Sequence, residues 1–273
     1  FDASEAALPE NPASLIKNGA DLIVVLGGDG TLLAQSRRCV SLGLPMLGVN
    51  LGRLGFMAEF DVESLRDQAR SLFNGDVLEL QDRPLLHVEV FAGGGGEGAT
   101  PRFQGLALND AVITAGPPFR MISMSLSING EDGPNVSGDG MIISTPTGST
   151  AYNVSAGGSI LAPEVNAFAI TPIAAHSLAF RPIIVSAGSI IELVMSRVND
   201  NGISATDAAS TGAWGTTLVL DGQASTPLHE DDRLRLKKHP QPIRFVRNPK
   251  GSYWKTLIQK MHWGAAPRLR GPS

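Results

Sequence analysis

The chain has 273 residues, a formal net charge of −4 and 42% hydrophobic residues, which is enough for a sizeable core. This charge balance excludes a basic surface that tracks nucleic acid, and the single cysteine, Cys39, excludes internal disulfides and cysteine-based zinc sites. No stretch reaches the roughly 18 apolar residues of a membrane span. Because no signal peptide is recognisable either, we expect a cytoplasmic protein without a membrane partner.

The first predicted strand leads into a glycine turn. The uninterrupted aliphatic run Leu22–Leu26 predicts a strand buried on both faces of a parallel sheet. After the turn at Gly27–Gly28, a helix is predicted over Leu32–Leu42, ended by Gly43. A strand, a glycine turn and a helix start aim backbone N–H groups at a phosphate. Asp29 lies inside this turn and would repel phosphate unless a metal or a proton transfer is involved; an ordinary turn with an N-capping Asp is the alternative.

The next segments continue an α/β pattern. A short helix is predicted at Ala13–Ala20, a second apolar strand at Pro45–Asn50 and an amphipathic helix at Glu63–Phe73. Strands that alternate with helices indicate a parallel sheet, with a ligand crevice at the carboxyl ends of its strands. The amino-terminal domain is therefore predicted to be Rossmann-like.

Beyond residue 81 the pattern changes to short strands. We predict strands at Leu85–Ala92, Gly105–Thr114, Met121–Ile128, Met141–Ser144, Ile183–Val185, Ile190–Met195, Thr217–Leu220, Arg233–Lys237 and Arg244–Val246. Asn199–Gly215 is predicted to be a long loop, and Tyr253–His262 a final helix. The predicted fold is an α/β domain at 1–80, with 250–273 packing back on it, followed by a β-rich, sandwich-like domain at 81–249.

Two polar segments interrupt the β-rich half. Thr145–Tyr152 contains four hydroxyls before a tyrosine, which suits the edges of a base, the hydroxyls of a sugar and stacking on the ring of Tyr152. The alternative is a Ser/Thr-rich turn that caps the following helix. Asn109–Asp110 stands between two apolar runs; it is either a tight turn or, as we favour, a ligand contact.

These segments together resemble the ordered motifs of bacterial NAD kinases. The residues that carry the resemblance are Gly27–Thr31, Asn50–Phe56, Asn109–Asp110, Ser137–Gly140 and Thr145–Tyr152. The glycine motif is shared with diacylglycerol and sphingosine kinases, whereas the Thr145–Tyr152 string is far more specific. The resemblance runs from about Asp21 to Trp263, and family members normally begin with another strand and helix that this chain lacks.

The resemblance implies phosphoryl transfer from ATP to the 2′-hydroxyl of the adenosine ribose of NAD, which gives NADP. It implies that Mg²⁺ is held mainly by the phosphates of ATP and by water, without a dedicated protein cage. Asp29 is expected to act as general base. The residues expected to contact NAD are Asp29, Gly30, Phe56, Asn109, Asp110, Asp139, Thr150, Ala151, Tyr152 and Ser155. The residues expected to contact the phosphates of ATP are Gly27, Gly28, Gly30, Thr31 and Arg53.

The resemblance leaves several points open. Polyphosphate replaces ATP as donor in some family members, and the family forms homodimers and homotetramers, so we expect a homo-oligomer. A lipid kinase of the diacylglycerol or sphingosine type would share the glycine motif but needs a large apolar pocket. A non-catalytic dinucleotide-binding protein would keep the binding residues but have no use for Asp29.

Overall fold

The computed structural model describes residues 19–52, 55–75, 77–93, 98–200 and 215–264. The chain divides into two compact units, which we call unit 1 (residues 1–81 and 244–273) and unit 2 (residues 82–243). Most of the predicted helix at Ala13–Ala20 and most of the predicted loop at Asn199–Gly215 lie outside the described residues.

The first half of the chain contains β1 (Ile23–Leu26), α1 (Asp29–Cys39), β2 (Met46–Asn50), β3 (Phe60–Asp61), α2 (Val62–Phe73), β4 (Leu80–Arg83), β5 (Leu86–Phe91), β6 (Phe103–Ala107), β7 (Asp110–Thr114) and β8 (Ile122–Ile128). The second half contains β9 (Glu131–Gly138), β10 (Gly140–Ser144), α3 (Tyr152–Ser155), β11 (Ala167–Ile173), β12 (Ile183–Ser186), β13 (Ile191–Arg197), β14 (Thr217–Leu220), β15 (Ala224–Pro227), β16 (Arg233–Lys238), β17 (Ile243–Val246) and α4 (Tyr253–Met261). Short 3₁₀ helices occupy Val40–Leu42 and Gly148–Thr150.

Unit 1 is built on a sheet that contains the predicted parallel strands. The sheet has the order β1-β2-β17-β4, and β1, β3 and β17 all run parallel to β2. Helix α1 packs on β1 and β2, and α2 packs on β2 and β3. The side chain of Asp61 and that of Ser64 form a capping box that begins α2.

The prediction that the first strand is buried on both faces was wrong. Val25 is buried, but Val24 is 43% exposed and Leu26 is 58% exposed. Within the described residues β1 has one sheet neighbour, β2, and helix α1 covers the face that carries Val25. Val24 and Leu26 point to the opposite face of the sheet. Helix α2 packs on that face at β2 and β3.

Helix α1 begins earlier than predicted, and this changes the position of Asp29. Gly28 is the N-cap residue in extended conformation, and Asp29 is the first helical residue. A carboxylate in the first turn and the basic Arg37 and Arg38 in the last turn both complement the helix dipole. The helix ends in a 3₁₀ turn at Gly43, whose φ of 63° explains the glycine there.

Unit 2 consists of two antiparallel six-stranded sheets, as the prediction of a β-rich, sandwich-like domain required. Their strand orders are β12-β11-β10-β7-β14-β15 and β6-β5-β16-β13-β8-β9. One apolar core draws on both sheets, with Val88, Leu193 and Leu234 from the second and Ile143, Phe168 and Leu218 from the first. None of the helices in the described part of the chain is both long and apolar enough to span a bilayer.

Two features of the strands differ from the prediction. The predicted strand Gly105–Thr114 is two strands, β6 and β7, because the polar pair at Asn109–Asp110 interrupts it. Strands β3, β4, β9, β11 and β15 were not predicted. In β9, Gly133 and Pro134 obscure the alternation, and Pro is tolerated because β9 is an edge strand, whose one sheet neighbour among the described strands is β8.

Candidate active site

The glycine turn of unit 1 has a shape that only glycine allows. Gly27 has a φ of 152°, and a Cβ on it would lie 2.6 Å from the hydroxyl oxygen of Thr31. By contrast, a Cβ on Gly28 or Gly30 would meet no heavy atom within 4 Å, so there is open space beside the start of α1. The N–H of Thr31 donates to the carbonyl of Gly28 at 3.1 Å, so the group that Thr31 offers to a ligand is its hydroxyl.

Asp29 anchors a loop that lies 27 to 29 residues further along the chain. Its Oδ2 accepts the N–H of Phe56 at 2.8 Å, and its Oδ1 accepts those of Met57 at 3.2 Å and Ala58 at 3.3 Å. We call this arrangement the Asp29 clamp. The alternative role as N-cap was wrong, because Gly28 occupies that position. A carboxylate has about four acceptor sites, so the half-buried Asp29 keeps capacity for one more hydrogen bond.

Gly55 is required by the Asp29 clamp. A Cβ on Gly55 would lie 1.8 Å from Oδ1 of Asp29. A methyl group has no alternative rotamer that would relieve this clash. The absence of a side chain at this position therefore lets the loop approach the carboxylate closely enough to donate its N–H groups.

Phe56, the next residue of that loop, has neighbours that the sequence did not predict. Its ring centroid lies 6.4 Å from that of Tyr253, and the Nζ of Lys260 lies 5.1 Å from the Phe56 centroid. Both residues belong to α4, and Phe56, Tyr253 and Glu59 line a cleft of about 200 Å³ within unit 1. The sequence feature that could have indicated these neighbours is the aromatic and basic composition of the final helix. Arg53, the predicted phosphate contact in the same loop, lies outside the described residues.

In unit 2, Asn109–Asp110 is fixed from one side by a hairpin turn. The carboxylate of Asp221 accepts the N–H groups of Leu108 at 3.0 Å, Asn109 at 2.7 Å and Asp110 at 3.2 Å. We call this arrangement the Asp221 clamp. Asp221 had no predicted role; the sequence feature that could have indicated it is the Asp221–Gly222 dipeptide, which is typical of hairpin turns.

The hydroxyl-rich segment fixes Asn109–Asp110 from the other side. The N–H of Thr145 donates to the carbonyl of Asn109 at 2.9 Å, and its hydroxyl donates to the carbonyl of Leu108 at 2.5 Å. A Cβ on Gly148 would lie 2.1 Å from the Asn109 carbonyl oxygen, so the two segments are in close backbone contact. The ordered 3₁₀ turn at Gly148–Thr150 thus belongs to the support of the Asn–Asp pair.

Two hydroxyls of the Thr145–Tyr152 segment are used inside unit 2. The hydroxyl of Ser149 donates to the carbonyl of Pro146 at 2.7 Å, and that of Thr145 donates to the carbonyl of Leu108. Thr150 and Ala151 are half-buried, whereas Ser155 is exposed and Tyr152 is 46% exposed. The four predicted contact residues at Thr150–Ser155 are therefore accessible to a ligand.

Two buried polar atoms in this region have no hydrogen-bond partner among the described residues. They are Oδ1 of Asn109 and Oγ1 of Thr147. Buried polar side-chain atoms are normally paired, because an unpaired one pays its full desolvation cost. Unpaired acceptors of this kind are typical of positions where a ligand supplies the donor.

Asp110 has an unusual ionisation. Burial raises the pKa of its carboxyl, and the negative charge of Asp221 raises it further, to about 7. Close to neutral pH the side chain therefore exists in both protonation states. Strongly shifted carboxyls of this kind are enriched at functional sites, although ion pairs inside a fold also produce them.

Asp139 lies at the opposite end of β10 from the hydroxyl-rich segment. The strand register pairs Ser144 with Asp110 and Gly140 with Thr114, so Asp139 and Asp110 are separated by about 13–17 Å along the strands. Asp139 is exposed, its N–H donates to the carbonyl of Ile173, and its carbonyl accepts the N–H of Ala115. The structure therefore does not bring Asp139 together with the Asn–Asp pair.

Comparison with known proteins identifies both halves of the chain. The model of the ATP-NAD kinase N-terminal domain matches residues 11–77, and that of the ATP-NAD kinase C-terminal domain matches residues 108–248. The NAD kinase of Desulforamulus reducens is 38% identical over 256 residues, which is 93% of this chain and 82% of the relative. The NAD kinase of Aromatoleum aromaticum is 39% identical over 249 residues, or 91% of this chain and 76% of the relative.

Solved structures agree in fold. Yeast NADH kinase complexed with NADH has a TM-score of 0.78 and 27% identity, covering 96% of this chain and 71% of the yeast chain. An NAD kinase from Archaeoglobus fulgidus in complex with ATP has a TM-score of 0.68 and 26% identity, covering 93% of this chain and 86% of the archaeal one. The chain therefore belongs to the NAD kinase family of enzymes, which phosphorylate NAD, and has that family's two-domain fold.

Proposed function

We propose that this chain transfers the terminal phosphoryl group of ATP to the 2′-hydroxyl of the adenosine ribose of NAD and so produces NADP. The observation that carries the proposal is Asp29, a half-buried carboxylate that begins α1 beside the open glycine turn and keeps capacity for one more hydrogen bond. The complex of the related Archaeoglobus fulgidus enzyme with ATP supports ATP as donor.

Asp29 is proposed to act as the general base. Phosphoryl transfer needs an acceptor for the proton of the attacking hydroxyl, and it depends otherwise on positioning and charge neutralisation. The remaining acceptor site of Asp29 would take the proton of the 2′-hydroxyl as the oxygen attacks the phosphorus atom. The three backbone N–H donors keep the carboxylate in one orientation while this happens.

The phosphates of the donor are proposed to lie beside the glycine turn. Gly27, Gly28, Gly30, Thr31 and Arg53 are assigned to this contact, with Thr31 acting through its hydroxyl. Mg²⁺ enters with ATP as part of the substrate, held by phosphate oxygens and water. In the described ranges no three His, Cys, Asp or Glu side chains cluster as a metal cage.

For NAD, residues of both units are assigned as contacts. In unit 1, Phe56 packs on the adenine ring. In unit 2, Asn109 and Asp110 accept hydrogen bonds from adenosine or ribose donors, and Asp139 contributes its charge near the nicotinamide. The remaining assigned contacts are Gly30, Thr150, Ala151, Tyr152 and Ser155. The unpaired Oδ1 of Asn109 supports this assignment, because it is an acceptor that lacks a donor.

The alternative functions predict different outcomes. A lipid kinase would phosphorylate diacylglycerol or sphingosine, but both domain models and the curated relatives are those of NAD kinases. A non-catalytic dinucleotide-binding protein would bind NAD without turnover.

The decisive experiment is to incubate the purified chain with NAD, ATP and Mg²⁺ and to assay NADP with an NADP-specific dehydrogenase. We expect the wild-type enzyme to form NADP from NAD and to form no phosphorylated product from the analogue that lacks the adenosine 2′-hydroxyl. We expect the Asp29→Asn variant to form little NADP. Polyphosphate in place of ATP tests the donor range. Binding of NAD without formation of NADP, under conditions where the protein is folded, would refute the proposal.

We also propose that the chain acts in the cytoplasm as a homodimer or homotetramer. Unit 2 supports an oligomer, because each of its sheets ends in edge strands that could pair with another copy, such as β9 and β12. Light scattering coupled to size exclusion should give twice or four times the chain mass of 28.7 kDa. A monomeric mass over the working concentration range would contradict this.

A further inference from the structure

The Asp221 clamp combines a strained turn with a set of backbone hydrogen bonds. Asp221, Gly222 and Gln223 connect β14 and β15. Asp221 and Gly222 have φ angles of 52° and 67°, and the N–H of Gln223 donates to the carbonyl of Leu220 at 2.9 Å. Positive φ is unfavourable for most residues and is tolerated by Asp. This turn directs the carboxylate of Asp221 at the backbone of the Asn109–Asp110 segment.

The contact is more extensive than a single hydrogen bond. Besides the three N–H groups of residues 108–110 that donate to the carboxylate, the N–H of Asp221 itself donates to the carbonyl of Asp110 at 3.0 Å. Asp221 is only 8% exposed, so water does not compete effectively for these bonds. The backbone of the segment is therefore held in one conformation.

A segment held in this way presents its side chains in fixed directions. The carbonyl groups of Leu108 and Asn109 are engaged by Thr145, and the N–H groups by Asp221. What remains without a partner among the described residues is Oδ1 of Asn109, a buried acceptor. A fixed acceptor of this kind is what recognition of a ligand N–H or O–H requires.

We propose that Asp221 is a positioning residue for NAD: its carboxylate fixes the backbone at 108–110, so that Asn109 and Asp110 accept hydrogen bonds from donors of the adenosine or ribose. Asp221 does not itself touch the substrate. This inference rests on the proposed function and adds to it a residue that acts only through two others.

The clamp also places two carboxyl groups close together, which gives the proposal a measurable signature. Among the charged groups on the elements that pack against Asp110, Asp221 is the one whose charge shifts the pKa of Asp110. On the neighbouring strand β10, the residue paired with Asp110 is the uncharged Ser144. A sugar hydroxyl donates to the ionised form of Asp110. The kcat/KM for NAD should therefore rise with pH as Asp110, whose pKa is about 7, loses its proton.

The test compares Asp221→Asn with the wild-type enzyme across this pH range. The amide cannot accept all three N–H groups, so we expect the KM for NAD to increase about 10- to 100-fold, with KM for ATP unchanged. We expect kcat to change by less than about threefold, because the proton acceptor is untouched. The loss of the Asp221 charge should also move the rise in kcat/KM to lower pH, which a merely structural defect would not do.

A matched control is available in the same unit. Asp231 is also an aspartate with positive φ, at 64°, but it is exposed, so Asp231→Asn should leave all parameters unchanged. An unchanged KM for NAD in folded Asp221→Asn, or a pH profile that does not move, would overturn the proposal. Absence of NADP formation by the wild-type enzyme would instead refute the proposed function.

If Asp221→Asn does not fold, Asp110→Asn provides the second test, since it leaves the Asp221 carboxylate in place. We expect the pH-dependent rise in kcat/KM for NAD near pH 7 to disappear in Asp110→Asn, because the titrating group is gone. Persistence of the same rise would show that Asp110 is not the group that the clamp controls, and would overturn the proposal.

Discussion

Asp29 in unit 1 and Asp221 in unit 2 each accept hydrogen bonds from three successive backbone N–H groups, at residues 56–58 and 108–110 respectively. The surroundings of the two carboxylates differ. Asp29 is half-buried beside a turn whose Gly28 and Gly30 leave open space, whereas Asp221 is 8% exposed in a tight hairpin turn.

This difference separates two uses of one hydrogen-bonding pattern. Both carboxylates fix a loop that carries proposed NAD contacts, Phe56 in one unit and Asn109–Asp110 in the other. Asp29 also has access to a ligand and room for one more donor, which a general base needs. Asp221 is only 8% exposed, so its effect on the substrate must pass through the residues that it holds.

The largest effect should follow removal of the proton acceptor. Asp29→Asn should lower kcat by about 10²–10⁴, the usual share of a general base. Since the amide nitrogen cannot accept the N–H of Phe56, a smaller rise in KM for NAD should accompany it. Steady-state kinetics with saturating ATP and Mg²⁺ measures both, with exposed Asp21→Asn as control. Near-normal turnover would remove Asp29 from the chemistry.

A steric substitution should displace the same carboxylate without changing its charge. In Gly55→Ala the new methyl group would lie 1.8 Å from Oδ1 of Asp29, so the carboxylate must move, and we expect kcat to fall about 10²-fold. In the control Gly52→Ala the nearest atom is 3.9 Å away, so activity should be retained. Equal activity of the two variants would show that the orientation of Asp29 is unimportant.

The loop held by Asp29 should contribute binding and not chemistry. Phe56→Ala removes the proposed stacking surface, and we expect NAD binding to weaken by about 1–3 kcal/mol with ATP affinity kept. Isothermal titration calorimetry with each nucleotide measures this, and Phe73→Ala, which is 53% exposed on α2, is the control. NAD affinity equal to that of the wild type would make the loop structural.

The smallest effect concerns Asp139, which neither clamp holds. Oxidised nicotinamide is cationic and the reduced ring is neutral, so a nearby carboxylate should favour NAD over NADH by about 1 kcal/mol. Asp139→Asn should narrow that preference several-fold in kcat/KM, while exposed Asp132→Asn should not. If the ratio of kcat/KM for NAD to kcat/KM for NADH is the same in Asp139→Asn as in the wild type, the electrostatic role is rejected, whatever happens to the absolute rates.

Local patterns in the sequence were sufficient for much of the fold. The aliphatic run before Gly27–Gly28 predicted β1 and the turn, and strand-length apolar runs predicted the β-rich character of unit 2. These features depend on neighbouring residues, which periodicity and turn chemistry describe well. Burial on both faces of β1 was wrong because burial depends on which distant elements cover a strand.

The clamps could not be predicted, because each joins residues far apart in the chain. Asp29 accepts from Phe56, 27 residues away, and Asp221 accepts from Asn109, 112 residues away. The raised pKa of Asp110 likewise depends on burial and on the approach of Asp221 in the folded state. The sequence identified Asp29, Asn109 and Asp110 as candidates, but not what holds them in place.

The most direct test of the difference between the two carboxylates is to measure kcat and KM for NAD of Asp29→Asn and Asp221→Asn side by side. We expect the first variant to lose mainly kcat, by about 10²–10⁴. We expect the second to raise mainly KM, by about 10- to 100-fold. The same division of effect between kcat and KM in both variants would contradict this expectation, because the two carboxylates would then perform one role.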